Sequence, residues 1–500
     1  MEGVKIGLET HVQLDTDTKL FCGCTASIEG EPNTHTCEIC LGMPGSKPRT
    51  NSLVVDYALK ACLALNCDVN EAVRFSRKTY FYPDMAKNFQ ITQYELPVGE
   101  DGTVRTRLQG EEQEIGIRRI HIEEDPARLV HKGGDIASAD YTLVDYNRAG
   151  IPLLEVVTEP DFESPSEARA FLQKLTRIME YLGIYDPSSD LSIKSDANIS
   201  LEGGARVEVK NITGTRGIEQ ALKYEITRQR NLRKRGREVE RETRAYSSAQ
   251  EITTSLREKE MEEDYGYIFE PDLTVIDVGE EQKERMASQL PELPDQKFDR
   301  FREEYGLSPK LVEALITDPR LAEDFERLAA EFDQEMVASW MTDELKETLH
   351  FNDVDYASIC GDGDLVEGLA YLFERVGSDE LSDRTAELLL RGLVDALMRR
   401  EGLGKTREDA DLVRFDLDDA EVEETLDAVI DDRDLSKSGG AEIADTVDTV
   451  VEEHPDAVDD YREGKDEAIN FLVGQVMQRT GGTADPKQAR ELVRDRLDEA

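Results

Sequence analysis

Val4-Lys5-Ile6-Gly7-Leu8-Glu9-Thr10-His11-Val12-Gln13-Leu14 alternates apolar and polar side chains with a period of two, the pattern of a β-strand with one face in a core. Val4, Ile6, Leu8, Val12 and Leu14 fall on the inner face, while Glu9, His11 and Gln13 project together from the other. A carboxylate and an imidazole on one strand face can begin a metal site or an acid/base pair. Just downstream stand Cys22-x-Cys24 and Cys37-x-x-Cys40. Each close pair offers two sulfurs from a tight turn, so the four suit one tetrahedral zinc. Four thiolates leave no open coordination position, which makes such a zinc structural.

The 500 residues leave room for about two to four domains. Acidic residues number 108 against 60 basic ones, a formal charge of -48. The acid is spread along the chain and forms no single tail, which fits adaptation to very high salt. At about 1 M salt the Debye length is about 3 Å, so the net charge does not exclude a nucleic-acid partner. Cys62, Cys67 and Cys360 read as scattered reduced thiols of an intracellular protein. The N-terminus lacks a basic and an apolar targeting region, and no apolar run approaches the length of a membrane span. The expectation is a soluble cytoplasmic protein without a membrane partner. No Walker-type loop, GxSxG elbow or Ser/Lys amidase signature occurs, so any use of ATP needs another phosphate cradle.

Strand-like alternation gives way to acidic helical patterning after about residue 290, where Leu290-Pro291-Glu292-Leu293-Pro294-Asp295 punctuates the change. A weaker break lies near Gly402-Leu403-Gly404, and Ser438-Gly439-Gly440 reads as a loop. Domains are therefore expected at 1–290, 291–404 and 405–500. In the first, Ser164-Pro165-Ser166-Glu167 is a capping box opening a helix, with Phe171, Leu172, Leu175, Ile178, Met179 and Leu182 as its apolar stripe and Gly183 as its stop. A hairpin over 192–211 turns at Glu202-Gly203-Gly204. Asp196, Asn198 and Ser200 share a face on its first strand; Arg206, Glu208 and Lys210 do so on its second.

Three further segments carry candidate chemistry. In IGIRRIHIEED (115–125), adjacent carboxylates suit a hard cation such as magnesium. Strict alternation puts Glu123 beside His121 and leaves Glu124 opposite, unless the strand ends or bulges. In SRKTYFYPD (76–84), Arg77, Lys78, Tyr80 and Tyr82 suit a phosphate or the acceptor end of an RNA, or equally an aromatic edge strand. RQRNLRKRGREVERETR (228–244) is the strongly basic stretch. It reads either as a phosphate-backbone footprint or as a solvated helix with its own ion pairs to Glu238, Glu240 and Glu242.

The runs GLETHVQL (7–14), PNTHTCEICLGMPG (32–45), RKTYFYPDMAKNFQITQYELP (77–97), HIEEDPAR (121–128), VDYNRAGIPLLEVVTEPDF (144–162), SDANISL (195–201) and EVKN (208–211) resemble the GatB family, the B subunits of tRNA-dependent aspartyl/glutamyl amidotransferases. Gly464-Lys465, FLVGQVMQRTGG (471–482) and ADPKQ (484–488) look like that family's YqeY-type tail. The resemblance extends in order along essentially the whole chain. It implies an α+β fold: an N-terminal cradle on a largely antiparallel sheet with helices, an all-α domain, and a YqeY-like tRNA-binding tail.

The activity it implies is phosphorylation by ATP of the carboxylate of a mischarged Asp-tRNA(Asn) or Glu-tRNA(Gln), followed by amidation. Ammonia comes from a partner amidase of the same complex, and a small third protein of that complex clamps the pair. Glu9, His11 and Glu124 match the family's magnesium positions, with Glu123 in support. Lys78, Tyr80, Arg148, Asp196 and Glu208 match pocket positions. Lys78 and Arg148, joined by Lys210 of the hairpin face, are the candidates for phosphate or carboxylate charge; Asp196 and Glu208 would orient a second metal, ammonia or an amine proton. Cys22, Cys24, Cys37 and Cys40 match the zinc knuckle. DYGYIFEPDL (264–273) loses an arginine of the family pattern, and DLSIKS (190–195) departs from the usual lead-in. Two alternatives are the longer archaeal paralogue dedicated to Gln-tRNA, whose inserted domain is not evident here, and a non-enzymatic tRNA-binding subunit.

Overall fold

The computed structural model describes residues 3–108, 110–133, 139–187, 193–258, 265–403, 413–417, 421–433, 435–436, 440–462, 465, 467–481, 483–484 and 486–499. Positions 190–192, 264, 404, 438–439, 464, 482 and 485 of the motifs above lie outside them. The chain divides into two compact units, Met1–Pro294 and Asp295–Ala500.

The first unit runs β1 (Val4–Gln13), α1 (Ser52–Ala64), β2 (Asp68–Val69), β3 (Ala72–Val73), β4 (Ser76–Thr79), β5 (Phe89–Thr92), β6 (Gly99–Leu108) and β7 (Glu111–Glu124). There follow β8 (Arg128–Lys132), β9 (Tyr141–Asp145), β10 (Pro152–Thr158), α2 (Pro165–Tyr181), β11 (Lys194–Leu201), β12 (Val207–Thr213), α3 (Gly214–Lys234), β13 (Glu242–Ser247) and β14 (Ile252–Glu258). Among the described residues nine strands form one sheet in the order β14-β13-β12-β11-β1-β10-β7-β6-β2. Its pairings are antiparallel except for β12 with β13.

The expected alternation of β1 holds: Val4, Ile6, Leu8 and Val12 are buried in the first unit's apolar core, which α1, α2 and α3 cover. The α2 cap forms as its sequence demands. Ser164 Oγ accepts from the Glu167 amide at 3.2 Å, while the Glu167 carboxylate accepts from the Glu163 amide at 2.8 Å, so two otherwise orphaned donors are satisfied. The helices occupy one face of the sheet, and the polar side chains of its central strands are left on the other.

In the second unit the described elements are helices, the longest being Asp383–Arg400. One apolar cluster runs from Phe298 to Ile430 and another from Ile443 to Leu497. The expected break at 404 is not where the apolar packing changes, because Val413, Val422, Leu426 and Ile430 still pack with the first cluster. Within it, the helical path over Trp340–Leu345 widens to a π-turn.

Candidate functional site

Strand register decides which polar groups meet. Glu9 stands opposite Asp196 of β11, and His11 opposite Glu155 of β10. Glu155 in turn faces His121 of β7, Leu153 faces Glu123, and Asn198 of β11 faces Glu208 of β12. Directly opposed residues on adjacent strands share a face with Cβ atoms about 5 Å apart, so five strands build one polar row. The His11 Nε2 atom lies 3.3 Å from Glu123 Oε1 and 3.3 Å from Glu155 Oε2. His121 Nε2 is also 3.3 Å from Glu155 Oε2.

His121, Glu123, Glu155 and Glu208 are buried, Glu9 and His11 are half-buried, and their charges are set by one another. Burial disfavours a charged His11 imidazole, but hydrogen bonding to Glu123 and Glu155 outweighs it and holds the ring well above its ordinary pKa. Burial pushes the Glu155 carboxyl up, yet His121 and His11 more than offset it and leave it well below the usual range. Glu123 is lowered likewise: burial and Glu155 raise it, and His11 and Lys78 prevail. Glu9 goes the other way. Burial, then the carboxylates of Glu155, Glu208 and Asp196, raise it against the pull of Lys210. Its Oε1 accepts from Asn198 Nδ2 at 2.8 Å.

The expected magnesium set of Glu9, His11 and Glu124 is not the one the sheet brings together. The ligand atoms that converge, within 4.8 Å of one another, belong to His11, Glu123 and Glu155. The pairing of β7 with β10 slips once near Arg118 but is regular from Arg119 to Glu124, so Glu123 shares the face of His121 and Glu124 takes the opposite one. There Glu124 pairs with Lys87 and accepts from the Ile91 amide at 2.8 Å. It lines a separate cavity of about 170 Å³ with Lys87, Arg77 and Glu270. Glu155 escaped the sequence reading because Pro152–Thr158 is buried at every position. Its signal was a lone carboxylate inside an apolar run.

A cavity of about 690 Å³ opens above the row, lined by His11, Glu123, Lys78, Tyr80, Arg148, Asp196 and Lys210. Arg148 grips Asp125 with two hydrogen bonds, Nε to Oδ2 at 2.5 Å and Nη2 to Oδ1 at 2.6 Å. Burial, then the charges of Asp84 and Glu123, push the Tyr80 phenol far up, so it stays a hydrogen-bond donor. Lys78 Nζ sits 4.8 Å from the centre of the Tyr265 ring. Lys210 Nζ is 3.2 Å from Asp196 Oδ2 and 3.6 Å from Glu208 Oε1, and these two carboxylates keep it charged despite its burial. Glu208 also accepts from Thr243 Oγ1 at 3.0 Å. Lys194, opposite His11 on β11, is a cavity cation the sequence reading missed. It lies in the segment that departs from the family lead-in. Burial lowers its pKa, and Arg148 adds to the effect.

Two other cationic segments are occupied with internal pairing. Arg77 makes a bidentate pair with Glu270 at 2.7 and 2.8 Å. In the basic stretch, Arg228 pairs with Glu225 and Glu242, and Arg244 with Glu225 and Glu242. Arg233 donates to the carbonyls of Leu201 and Glu202.

The sulfurs of Cys22, Cys24, Cys37 and Cys40 lie within 4.8 Å of one another. Cys40 Sγ accepts from the Cys37 amide at 3.1 Å. Hydrogen bonding from Cys22 above all, with the Cys37 amide and the nearby Lys19 ammonium, holds the Cys40 thiol down to about 5. Four convergent sulfurs, one already favouring thiolate, fit a closed structural zinc site.

The chain is similar to known proteins along nearly its whole length. The family model described as the GatB/GatE catalytic domain matches residues 4–284, and the one described as the GatB domain matches residues 323–497. The chain is 44% identical to the B subunit of the aspartyl/glutamyl-tRNA(Asn/Gln) amidotransferase from Haloquadratum walsbyi, covering 99% of this chain and 97% of that one. It is 43% identical to the protein of that name from Halobacterium salinarum, over 99% and 97%. The Methanospirillum hungatei protein of that name is 44% identical, over 99% and 98%. Among the described residues, no helix is long and apolar enough to cross a membrane.

Proposed function

From the premise that the chain belongs to the GatB family, we propose that it is the transamidating subunit of a tRNA-dependent amidotransferase. It amidates the side-chain carboxylate of mischarged Asp-tRNA(Asn), Glu-tRNA(Gln) or both, at the expense of ATP. The observation that carries this reading is the buried row of mixed charge on the sheet, where carboxylates, imidazoles and lysines converge under one cavity.

In the first step a carboxylate oxygen of the aminoacyl group attacks the γ-phosphorus of ATP, and ADP leaves. Phosphoryl transfer needs positioning and charge stabilisation more than covalent participation by the protein. Lys78, Lys210 and Arg148 supply positive charge toward the phosphates and the substrate carboxylate, and Tyr80 donates a hydrogen bond. Glu123 and Glu155, with His11 once it gives up the proton those carboxylates hold on it, would hold a divalent cation such as magnesium, whose charge would offset that of the phosphate oxygens.

In the second step ammonia attacks the acyl carbon of the acyl phosphate, inorganic phosphate leaves, and the nitrogen sheds a proton. Asp196 and Glu208, both anchored by Lys210, orient the ammonia and take that proton. Burial shields the acyl phosphate from hydrolysis. The four cysteines hold a structural zinc. The helical tail after the cradle grips the tRNA, a partner amidase supplies ammonia from glutamine, and a small third protein clamps the pair. This assembly works in the cytoplasm of a salt-adapted host, a reading supported by the formal charge of -48.

The test is to incubate the assembled complex with each mischarged tRNA, ATP and either glutamine or ammonium. The expected result is ADP together with Asn-tRNA(Asn) or Gln-tRNA(Gln). Failure with both nitrogen sources would overturn the reading.

A further inference from the structure

Lys19 is a buried cation outside the mechanism above, with none of its surface exposed to solvent. A buried ammonium is costly unless its donors are satisfied, and three groups receive it. Its Nζ donates to the His35 carbonyl at 2.7 Å and to the Tyr146 carbonyl at 3.3 Å, and it lies 3.9 Å from Cys40 Sγ. The three fall in two segments: His35 and Cys40 in the cysteine knuckle, and Tyr146 in the loop that presents Arg148.

Other ties join the same two segments. The Leu20 amide donates to the Gly150 carbonyl at 2.9 Å. Asn147 accepts from the His35 amide at 2.8 Å and donates to the Glu31 carbonyl at 2.9 Å. Asn33 Oδ1 accepts from the Tyr146 amide at 2.7 Å. Gly150 turns the loop over the lysine at φ +86°, a left-handed backbone conformation that strains any residue with a Cβ. The loop then delivers Arg148 to Asp125 at the cavity wall.

We propose that Lys19 is a positioning residue that couples the four-cysteine metal site to the Arg148 loop. Four thiolates around a divalent zinc carry a net charge of -2, and the ammonium offsets part of it in a setting of low dielectric. The same ammonium fixes the Tyr146 carbonyl, so metal occupancy and loop order stabilise each other. The functional consequence rests on the reading of Arg148 as a cavity cation; the coupling itself does not.

The test uses the full chain. Zinc is removed from the wild type with a chelator, and amide hydrogen exchange is followed. Exchange is expected to speed up several-fold over 144–150 while β1 and β10 keep their protection. Unchanged exchange over 144–150 overturns the coupling. In Lys19→Met, zinc binding measured by competition should weaken roughly ten- to hundred-fold, the usual scale for losing a partner of a metal ligand. The cobalt-loaded variant should show its thiolate-to-metal charge-transfer band at longer wavelength, because a cation stabilising the sulfur electrons is gone. Asn147→Ala, which loses a neutral tie between the same segments, should loosen the loop and leave that band in place. A band unmoved in Lys19→Met, or moved equally in Asn147→Ala, overturns the role of the charge. If Lys19→Met does not fold, the wild-type exchange experiment decides alone. These readouts need neither tRNA nor ATP, so loss of amidation with intact coupling would sink the proposed function and leave this inference standing.

Discussion

Oε2 of Glu155 lies 3.3 Å from Nε2 of His11 on the adjacent strand, in the middle of the sheet. Glu155 also receives His121 from the other side, so one carboxylate ties together three strands. Replacing it with the isosteric Glu155→Gln keeps the shape and removes the charge. The rate of ATP-dependent ADP formation by the assembled complex should fall at least about a hundredfold, the scale of losing one charge-stabilising group in a buried site. A fall smaller than threefold would remove Glu155 from the site.

Glu123 and Glu124 should separate cleanly. Glu123→Gln is expected to raise the magnesium concentration needed for half-maximal activity, with little change in stability. Glu124→Gln leaves the Lys87 ammonium buried without its charge partner, which costs about 3 kcal/mol. Its denaturation midpoint should drop while the magnesium requirement stays put. The reverse pattern would restore Glu124 as the ligand.

The cysteine knuckle should bind a single zinc per chain. Elemental analysis of the purified wild type and of Cys37→Ser is the check, with zinc lost in the variant and the melting temperature lowered. Retention of zinc in Cys37→Ser would show that the metal is held elsewhere.

The α2 cap offers a control remote from the chemistry. Ser164→Ala removes the acceptor of the Glu167 amide and should destabilise the chain by about 1 kcal/mol, read from denaturant unfolding. Amidation by the complex should be unaffected at ordinary temperature. An unchanged unfolding midpoint would mean that the cap contributes nothing.

Period-two alternation was enough to place Glu9 and His11 on one face of β1 and to give that strand a buried side, because both are local properties of the pleat. The hairpin face of Asp196, Glu208 and Lys210 was readable for the same reason. What could not be read locally was partnership. β1 is paired with strands near residues 155 and 197, and nothing in its own letters names them. Glu155 was hidden because a strand buried on both faces loses the alternation that would have flagged it. The basic stretch from Arg228 kept two readings until the buried carboxylate of Glu225 was seen to absorb Arg228 and Arg244. Lys19 gave no signal at all, since a lone lysine before a cysteine turn looks like surface.

The two acidic letters that end β7 are chemically identical, yet the backbone sends one into each compartment of the molecule. Shifting an alignment of relatives by a single column would still match glutamate with glutamate at one of them and would raise no alarm. Roles transferred between such proteins by letter alone can therefore land on the wrong side of the wall, and only strand parity tells the two neighbours apart.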